Sequence, residues 1–449
     1  MMKSEKIGVW LKKNRVINLS GTMTSIGASI INEDAAEAIN QCFEVFIDMD
    51  ALQAKASQCI SEIVGSEAGC ITACTASGIC ISIAATMTGM NLGLAEELPD
   101  ISRVQKSEVV IQKGHVVSYG SNISQKIRLT GAQPVEVGTS NLSSPYQLDN
   151  AINESTCAAI WVVSHHTVQS GLIGLQTFIK ICRDRNIPVI IDAASEYDLR
   201  TFIDLGASIV IYSSHKFLGG PTAGILAGNE HLIRSAYMHQ TSGLGRAMKV
   251  GKESIVGAIA ALNRWKNLNH RNGQKLEYAR LLKIRNGLAS FPELVCVESP
   301  DPTGNPITRL RVSVDPIQPS LKIETIAKML RSRKPSIIVR DHHVDLGYFE
   351  IDPCNMIDGD PEIVVDAFEQ LRPIISGYNS DVEPDSDYGP QFSYYDEEGF
   401  PRINLKKVPF TQPEKADREQ KLKSWPNDFL TSESSKSPLS IPNRSSQIK

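Results

Sequence analysis

An acidic and a basic side chain stand near the ends of two neighbouring apolar runs in the middle of the chain. Asp192 lies within IPVIIDAA, residues 187–194, and Lys216 comes 24 residues later, just after ASIVIYSS, residues 207–214. A lysine amine can form a Schiff base with an aldehyde, and a carboxylate can keep a pyridinium nitrogen protonated so that its ring accepts electrons. A pyridoxal phosphate cofactor requires both groups, although a lysine taken alone is most often a solvated surface residue.

A bound phosphate also needs hydrogen-bond donors, and two places in the sequence offer them. Ser213 precedes the lysine by three residues, and the glycine pair Gly219-Gly220 after it lets the backbone turn sharply. The stretch TACTASGICISIAATMTG, residues 72–89, predicts a small-residue turn that opens a helix, whose first N–H groups can bind an anion. The candidates in that turn are Thr75, Ala76, Ser77 and Gly78. Small residues at a helix start are also common packing devices.

Composition favours small-molecule chemistry over nucleic-acid or membrane binding. The chain has 449 residues, of which 46 are basic and 50 acidic, so its formal net charge is −4 and no positive field attracts nucleic acid or an anionic membrane. The nine cysteines are scattered without a C-x-x-C pair, so we predict free thiols, no metal site and a reducing compartment. With no apolar signal core and no predicted membrane span, we expect a cytoplasmic protein whose partners are small molecules and other copies of itself.

The elements around Asp192 and Lys216 predict a parallel sheet. Short apolar runs alternate with helical segments from about residue 51 to 245, which is typical of βαβ units. CAAIWVVSHH (157–166), IPVIIDAA and ASIVIYSS read as strands, LQTFIKICRDRN (175–186) as a helix and YDLRTFIDLG (197–206) as a short helical crossover. Asp192 and Lys216 then follow the carboxyl ends of neighbouring strands, where open α/β sheets bind ligands.

The rest of the chain predicts a smaller α+β unit and a tail. Helical patterns cover 254–290, 321–334 and 361–377, the segment 307–314 reads as a strand, and PSIIVRDHHVDLGYFEID, residues 335–352, resembles a hairpin. After Tyr378 the chain is rich in Ser, Pro, Asp, Glu and Lys, so we predict disorder there. The predicted units are an N-terminal arm with a first helix (1–50), a large cofactor-binding domain (51–245), a small C-terminal domain (246–378) and a disordered tail (379–449).

The segment DAASEYDLRTFIDLGASIVIYSSHKFLGGPTAGILAG resembles the cofactor-lysine segment of the selenocysteine synthase-like group of fold type I pyridoxal-phosphate enzymes. Within that group, INLSGTMTSIGASI, FIDMDALQAKAS, GRAMKVGKE and VRDHHVDLGYFEIDPCNM resemble the D-glucosaminate-6-phosphate ammonia-lyase branch more than the selenocysteine synthases proper. The resemblance spans roughly residues 15 to 375. It implies a transferase-like large domain with a mostly parallel sheet, a smaller α+β domain, and a homodimer or higher homo-oligomer.

The resemblance also implies roles for individual residues. Lys216 would be the Schiff-base lysine, Asp192 the partner of the pyridinium nitrogen, and Ser213 with the turn from Thr75 to Gly78 the phosphate site. His115 would stack on the cofactor ring, although a half-buried structural histidine is an equal alternative. One of His165, His166 and Gln169 would hydrogen-bond the phenolic oxygen of the cofactor. Two features depart from the family pattern: TACTASG replaces a TSGAAAG-like turn, and His215 replaces a small residue before the lysine.

The function that the resemblance implies is a lyase acting on a small amino acid or amino-sugar acid. Lys216 would remove the Cα proton, and loss of a Cβ hydroxyl group would lead to a 2-keto acid and ammonia. Arg340 would clamp the substrate carboxylate through its forked guanidinium, unless it forms a surface ion pair. Arg246, Lys249 and Lys252 would meet a substrate phosphate or a neighbouring subunit's cofactor, or form a solvated cationic loop.

Three alternatives stay open at this point. A selenocysteine synthase-like transferase acting on charged tRNA is disfavoured by the acidic balance and by an N-terminus too short for an extra RNA-binding domain. A transaminase or a sulfur lyase would share all the cofactor residues, since the reaction depends on substrate geometry. A pyridoxal phosphate-binding regulatory protein without turnover remains possible because of the altered phosphate turn and the long tail.

Overall fold

The computed structural model of the protein describes residues 7–315 and 321–376. The predicted disordered tail, residues 379–449, lies outside the described residues. The helices, in chain order, are α1 (Ile7–Lys13), α2 (Glu33–Cys42), α3 (Met49–Val64), α4 (Thr75–Thr88), α5 (Leu92–Glu97), α6 (Ile123–Leu129), α7 (Pro145–Ala151), α8 (Leu175–Asp184), α9 (Thr201–Asp204), α10 (Glu230–Ser242), α11 (Lys252–Asn267), α12 (His270–Leu288), α13 (Ile323–Arg331) and α14 (Asp360–Ile375). None of these described helices combines the length and the apolar character that crossing a membrane requires.

The strands, in chain order, are β1 (Val16–Leu19), β2 (Ala68–Thr72), β3 (Glu108–Gln112), β4 (Gln133–Val137), β5 (Thr156–Val162), β6 (Val189–Asp192), β7 (Ile209–Ser213), β8 (Gly224–Gly228), β9 (Leu294–Pro300), β10 (Thr308–Val314), β11 (Ser336–Val339) and β12 (Tyr348–Ile351). Short 3₁₀ turns follow some of them, at Lys113–His115 and Val344–Leu346 for example.

The large unit is built on a seven-stranded sheet with the order β2-β8-β7-β6-β5-β3-β4. Strands β4, β3, β5, β6 and β7 are parallel, whereas β8 is antiparallel to both of its neighbours. The residues of β6, β7 and β8 are buried throughout, which explains their continuous apolar runs, since strands covered by helices on both faces lose the alternating pattern. The mostly parallel sheet predicted from the sequence is confirmed.

Helix α4 packs tightly across this sheet because its small residues allow a close approach. A Cβ atom added to Gly78 would lie 2.8 Å from Leu226 Cδ1 and 3.0 Å from Ile211 Cγ2, so any side chain there would displace strands β8 and β7. Thr75 begins the helix directly after β2 and a two-residue turn. The small-residue segment that reads as packing therefore also brings the start of α4 to the sheet.

A second, smaller core lies around the antiparallel sheet β12-β10-β9 and helices α12, α13 and α14. Strand β1 belongs to this core although it comes near the start of the chain: Ile17 and Leu19 are fully buried in it. The sequence did not predict β1. The hairpin predicted at 335–352 was wrong. Its two strands pair with other partners: β11 pairs in parallel with β1, and β12 pairs with β10. An isolated antiparallel bridge between Arg340 and Glu350 is what remains of the hairpin pattern.

The predicted helix 254–290 consists of two helices. Helix α11 ends at Asn267, and the side chain of Asn269 accepts a hydrogen bond from the N–H of Asn272 (3.1 Å) to begin α12. An N-cap asparagine inside a helical pattern is therefore the signal for the break. The unit boundaries predicted at residues 50, 245 and 378 stay a prediction.

Candidate functional site

The loop that carries Lys216 is fixed at both ends by backbone geometry. Gly219 has a left-handed conformation (φ +63°), and a Cβ atom on Gly220 would lie 2.2 Å from Ser214 Oγ, so both positions require glycine. The N–H of Gly220 donates to the carbonyl of Ser214 (2.8 Å). Lys216 therefore lies in a tight turn after β7, and a larger residue at Gly219 or Gly220 would force this turn open.

The segment after β1 holds this loop from the other side. The side-chain amide of Asn32 donates to the carbonyls of Leu218 (3.1 Å) and Gly219 (2.9 Å), and Ser29 Oγ donates to the carbonyl of His215 (2.7 Å). These bonds join residues nearly 190 positions apart in the chain, with a sequence separation of 186 to 187. The lysine loop is therefore positioned by a part of the chain that the sequence did not assign to the site.

Asp192 and Lys216 interact across the ends of neighbouring strands. Asp192 is 5% exposed and lies opposite Ile211 in the parallel register of β6 and β7. Burial raises the pKa of Asp192, while the Lys216 charge opposes this rise. Burial lowers the pKa of Lys216, while Asp192 and Glu196 raise it. The sequence prediction that these two groups meet at one sheet edge agrees with this geometry.

Ser213 lies at the last position of β7, with its hydroxyl 2.9 Å from Nδ1 of His215. Burial lowers the pKa of His215 to about 4, so its ring is neutral near neutral pH. If Nδ1 carries the ring proton, it donates to Ser213 Oγ and leaves the hydroxyl proton for an anion. His215, which replaces a small residue of the family pattern, thus supports the serine instead of blocking it.

The start of α4 offers fewer free donors than the sequence suggests. The N–H of Gly78 donates to the carbonyl of Cys74 (3.0 Å), and Ser77 Oγ donates to the same carbonyl (2.7 Å). Cys74 and Ser77 also form a capping box, in which Ser77 Oγ accepts the N–H of Cys74 (3.0 Å) and Cys74 Sγ accepts the N–H of Ser77 (3.4 Å). The first four N–H groups of a helix lack intrahelical partners, and the cap satisfies those of Cys74 and Ser77. The N–H groups of Thr75 and Ala76 are left as the donors for an anion.

Gly224 on β8 connects this helix start with Ser213. It pairs with Ser213 of β7 on one side of β8 and with Thr72 of β2 on the other side. A Cβ atom there would lie 2.4 Å from Thr72 Oγ1 and 2.5 Å from the carbonyl oxygen of Cys74. Because a bare glycine separates them, the turn after β2 comes close to the end of β7.

His115 lies in the 3₁₀ turn after β3 and is 3% exposed. Its Nδ1 accepts a hydrogen bond from the N–H of Val162 (3.2 Å), and Val162 lies opposite Asp192 in the register of β5 and β6. The ring also meets Trp161 edge-on at 4.5 Å between centroids. Burial lowers the pKa of His115 to about 4. The histidine is thus neutral and one strand away from Asp192.

His165, His166 and Gln169 follow β5, and their positions separate them. The side-chain nitrogen of Gln169 donates to the carbonyls of Ser164 (3.1 Å) and Thr167 (2.6 Å), so this exposed residue stabilises its own turn. The ring centroids of His165 and His166 lie 3.8 Å apart with the planes tilted by 43°, and both rings approach His342. Burial, with the Arg340 and Lys216 charges, lowers the pKa of His166 to about 4.

Arg340 follows β11 and is 6% exposed, so it is not a surface residue. Its Nε lies 3.5 Å from Oε2 of Glu350, and its charge lowers the pKa of Lys216. Arg309 lies nearby, where its Nε donates to Asp352 (2.8 Å) and its Nη2 pairs with Asp301. The guanidinium of Arg340 is therefore buried beside Glu350 and does not form the surface ion pair that the sequence left open.

The cationic loop GRAMKVGKE does not approach these residues through a described contact. Arg246 and Lys249 are exposed, and Nζ of Lys252 donates to the carbonyl of Val45 (2.5 Å). The three interpretations offered by the sequence, a substrate phosphate site, contact with a neighbouring subunit's cofactor and a solvated cationic loop, stay predictions.

A cavity of about 430 Å³ opens beside Lys216. Described residues with polar groups that line it include Asn32, Tyr197, Glu277 and Asn355. Burial raises the pKa of Glu277 to about 7, and that of Glu196, next to Tyr197, to about 8. The sequence reasoning did not find these carboxyl groups, because an isolated Glu on a helix or in a loop carries no spacing signal.

A second buried amine, Lys126 on α6, also lies near Asp192. It is 5% exposed, and its Nζ lies over the ring of Tyr119 at 4.7 Å. Burial lowers the pKa of Lys126, while Cys80, Asp192 and Cys74 oppose this. The sequence offered no signal for Lys126, since a single lysine on a helix reads as solvated.

Together these residues form a site with an imine-forming amine, a buried carboxylate beside it, and anion donors at the start of α4. Asp192 and Lys216 follow strand ends at one sheet edge, and Ser213 lies between them and the helix start. Such an arrangement can hold an aromatic cation and a phosphate group at the same time.

The chain is similar to proteins of one family along most of its length. A family model described as SelA, L-seryl-tRNA selenium transferase, matches residues 16–287. D-glucosaminate-6-phosphate ammonia lyase of Salmonella typhimurium is 34% identical over 357 residues, which cover 80% of this chain and 95% of that protein. A 5'-C-glycyluridine monooxygenase-decarboxylase of a Streptomyces species is 33% identical, with coverage of 79% of this chain and 89% of that protein.

Solved structures agree with these sequence matches. The structure of D-glucosaminate-6-phosphate ammonia-lyase has a TM-score of 0.74 at 33% identity, and covers 84% of this chain and 100% of that one. Aspartate aminotransferase from Thermus thermophilus has a TM-score of 0.50 at 12% identity, with coverage of 81% and 94%, and shows the fold alone. The predicted fold class, that of the fold type I enzymes, and the predicted resemblance are both confirmed.

Proposed function

The chain belongs to the L-seryl-tRNA selenium transferase (SelA) family, and we propose that it is a pyridoxal phosphate-dependent ammonia-lyase. Its substrate is a small amino acid or an amino-sugar acid with a hydroxyl group at Cβ. The similarity to D-glucosaminate-6-phosphate ammonia lyase over 80% of the chain supports this reaction class. The observation that carries the proposal is the pair of Asp192 and Lys216, which follow neighbouring strand ends and shift each other's pKa.

The described residues fit the cofactor at both of its ends. Asp192 is buried and can hold the proton on a pyridine nitrogen, and Lys216 can bind the aldehyde carbon. The N–H groups of Thr75 and Ala76, with the hydroxyl of Ser213, can hold the phosphate. When bound, pyridoxal phosphate supplies an electron sink for the carbanion at the substrate Cα. His115, one strand from Asp192, would be the ring that stacks on it.

Lys216 has the properties of the base that removes the Cα proton. Its amine would be free to act as a base once a substrate amine was bound to the cofactor, and burial lowers its pKa towards that of a useful base. Arg340 is buried near Lys216 and can receive the substrate carboxylate in exchange for its 3.5 Å contact with Glu350. Loss of the Cβ hydroxyl as water, then addition of water, gives a 2-keto acid and ammonia with no external oxidant.

Within this class we favour a phosphorylated amino-sugar acid such as D-glucosaminate 6-phosphate. A long, hydroxylated, anionic substrate suits the cavity of about 430 Å³ beside Lys216, because amide and hydroxyl groups of Asn32, Thr22 and Asn355 line it.

A product screen tests the proposal. Purified protein with pyridoxal phosphate is incubated with D-glucosaminate 6-phosphate, D-glucosaminate, serine and threonine, and ammonia and 2-keto acid are measured in parallel. We expect equal amounts of the two products from one of the substrates, and none from Lys216→Ala. Release of an amino acid or of hydrogen sulfide instead would favour a transaminase or a sulfur lyase.

The second candidate reaction follows from the other relative. A monooxygenase-decarboxylase is 33% identical to the chain, so overall identity does not separate the two reactions. Oxygen uptake separates them, because β-elimination consumes none. Substrate-dependent oxygen consumption with release of carbon dioxide would show that the protein is an oxygenase and not a lyase.

The remaining parts of the proposal concern the protein as a whole. We propose a homo-oligomer in the cytoplasm, with the large and small domains divided near residue 245. The nine cysteines, all within the described residues, are free thiols, as a reducing compartment requires. A tRNA partner is not expected from a chain with net charge −4.

A further inference from the structure

Three histidines from distant parts of the chain meet between the large sheet and the second core. His165 and His166 follow β5, and His342 lies between β11 and β12. One ring nitrogen of each lies within 4.8 Å of the others. The ring centroids are 3.8 Å apart for His165 and His166, and 5.8 and 5.6 Å from each of these to His342. We propose that His165, His166 and His342 bind one divalent transition-metal ion of the zinc type.

The turn that carries the first two ligands is well fixed. The carbonyl of Ser164 accepts hydrogen bonds from Thr167 Oγ1 (2.7 Å) and from the Gln169 side chain (3.1 Å). Ser164 Oγ also accepts the backbone N–H of His166 (3.1 Å). Adjacent histidines are therefore presented together, so that binding a metal needs little ordering of this turn.

The ring of His165 has a donor atom available for a metal. Nε2 of His165 is buried and has no hydrogen-bond partner among the described residues, which is costly for a polar atom unless a ligand takes it. Two nitrogens bound to a tetrahedral ion at about 2.0–2.1 Å lie roughly 3.3 Å apart. A small contraction of side chains that are already within 4.8 Å reaches this geometry.

Only the neutral imidazole binds a metal, and this cluster offers one ring nitrogen from each of the three histidines. The ions that prefer imidazole nitrogen are Zn²⁺, Cu²⁺, Fe²⁺ and Ni²⁺, whereas Mg²⁺ and Ca²⁺ prefer oxygen.

Arg340 opposes a cation at this place, so the local charge has to be considered. Arg340 faces Glu350, and Arg309 faces Asp301 and Asp352. Three carboxylates therefore accompany the two guanidinium groups and the Lys216 amine, so these negative and positive charges are equal in number. Three neutral ligands leave an ion with open positions, as in zinc sites that bind water or substrate.

The test is equilibrium dialysis of the holoenzyme against Zn²⁺, with metal content measured by mass spectrometry. We expect one ion per chain in the wild type and in the control His231→Gln, which changes an exposed histidine on α10. His165→Gln and His342→Gln should each weaken binding by more than about tenfold, since losing even an outer partner of a ligand costs about 10–100-fold. Co²⁺ should give visible absorption bands of a tetrahedral site in the wild type only.

Two results would overturn the proposal. The first is a wild-type holoenzyme that binds no stoichiometric ion, which needs no variant and so does not depend on folding of the mutants. The second is unchanged affinity in His342→Gln, which would assign the metal to cysteine thiolates or to the cofactor phosphate. Neither result bears on the ammonia-lyase reaction, because the readout is metal content and not turnover.

Discussion

Asp192 is buried and Lys216 is half-buried, and the charge of each makes that of the other tolerable. Isolated, either ion would lose much of its hydration energy and would become neutral instead. The structure shows this balance in the pKa values, since burial raises that of Asp192 and lowers that of Lys216 while each charge opposes the shift of the other. A pair of this kind is unfavourable for stability alone, which is typical of residues kept for chemistry.

Arg340→Lys should weaken substrate binding more than cofactor binding. Lysine keeps the charge but loses the fork, so we expect apparent KM for a carboxylate substrate to rise by about 5- to 150-fold, or about 1–3 kcal/mol. Cofactor absorbance should not change. The control is Arg311→Lys, because Arg311 lies 3.9 Å from the same Glu350 but is 44% exposed. An equal apparent KM in the two variants would show that Arg340 does not bind the substrate carboxylate.

Glu277 should make stability depend on pH. Burial and the nearby Asp352 raise its pKa to about 7 from an ordinary 4.5. Because the folded protein holds this proton more tightly, the stabilisation is complete below about pH 4.5 and is lost as the pH rises through about 7. Glu277→Gln should remove this loss and be more stable than the wild type above pH 7 by up to about 3 kcal/mol.

Denaturation in urea between about pH 5 and 8 measures this difference. The matched control is Glu324→Gln, which changes a half-exposed carboxylate on α13. Parallel pH profiles for wild type and Glu277→Gln would show that the carboxyl group is ionised in the folded protein.

At the scale of elements, the start of α4 leaves two N–H groups, those of Thr75 and Ala76, outside its capping box. The sequence predicted the helix start correctly and named Thr75, Ala76, Ser77 and Gly78 as anion donors, a role that stays a prediction. It could not separate them, because the capping box that engages Ser77 depends on the rotamers of Cys74 and Ser77. The local sequence therefore predicts where α4 begins, but only the folded structure shows which of its N–H groups lack a partner in the cap.

Thr75→Pro tests this donor pair without breaking the helix. Proline is favoured at the first helical position, where it removes one N–H group and leaves the backbone unchanged. Cys74 before it is extended (φ −165°, ψ 172°), as a residue preceding proline must be. We expect the Kd of pyridoxal phosphate to rise by about 10- to 150-fold, since a hydrogen bond to a charged group contributes about 1.5–3 kcal/mol.

Titration of the apoprotein with pyridoxal phosphate, followed by absorbance, measures that Kd. Thr75→Ala is the control, because it removes the side chain and keeps the N–H group. If both variants bind equally, the phosphate is held elsewhere, and Lys126 on α6 becomes the next candidate.

At the scale of the whole molecule, the sequence predicted the large sheet but not the long-range contacts that join distant parts of the chain. Buried strands β5, β6 and β7 are continuous apolar runs that any reader of the sequence can find. Strand β1 has only four residues, and its partner β11 lies about 320 residues away by register, so no local pattern marks the pair. The meeting of His165 and His166 with His342 was missed for the same reason.

The N-terminal segment shows how these long-range ties serve the site. Strand β1 is buried in the second core, and Ser29 and Asn32 a few residues later hold the lysine loop. One continuous stretch of chain therefore joins the small core to the residue that we place at the centre of the chemistry. Its importance depends on contacts that form only in the folded protein.

The measurement that tests the central claim most directly is the position of the covalent bond to the cofactor. Holoenzyme is reduced with borohydride, digested, and analysed by mass spectrometry for the pyridoxyl group. We predict one modified peptide, carrying Lys216, and no fixed cofactor in Lys216→Ala, whose turnover should fall by several orders of magnitude. An adduct on Lys126 or another lysine, or a wild type that binds no pyridoxal phosphate, would contradict the account.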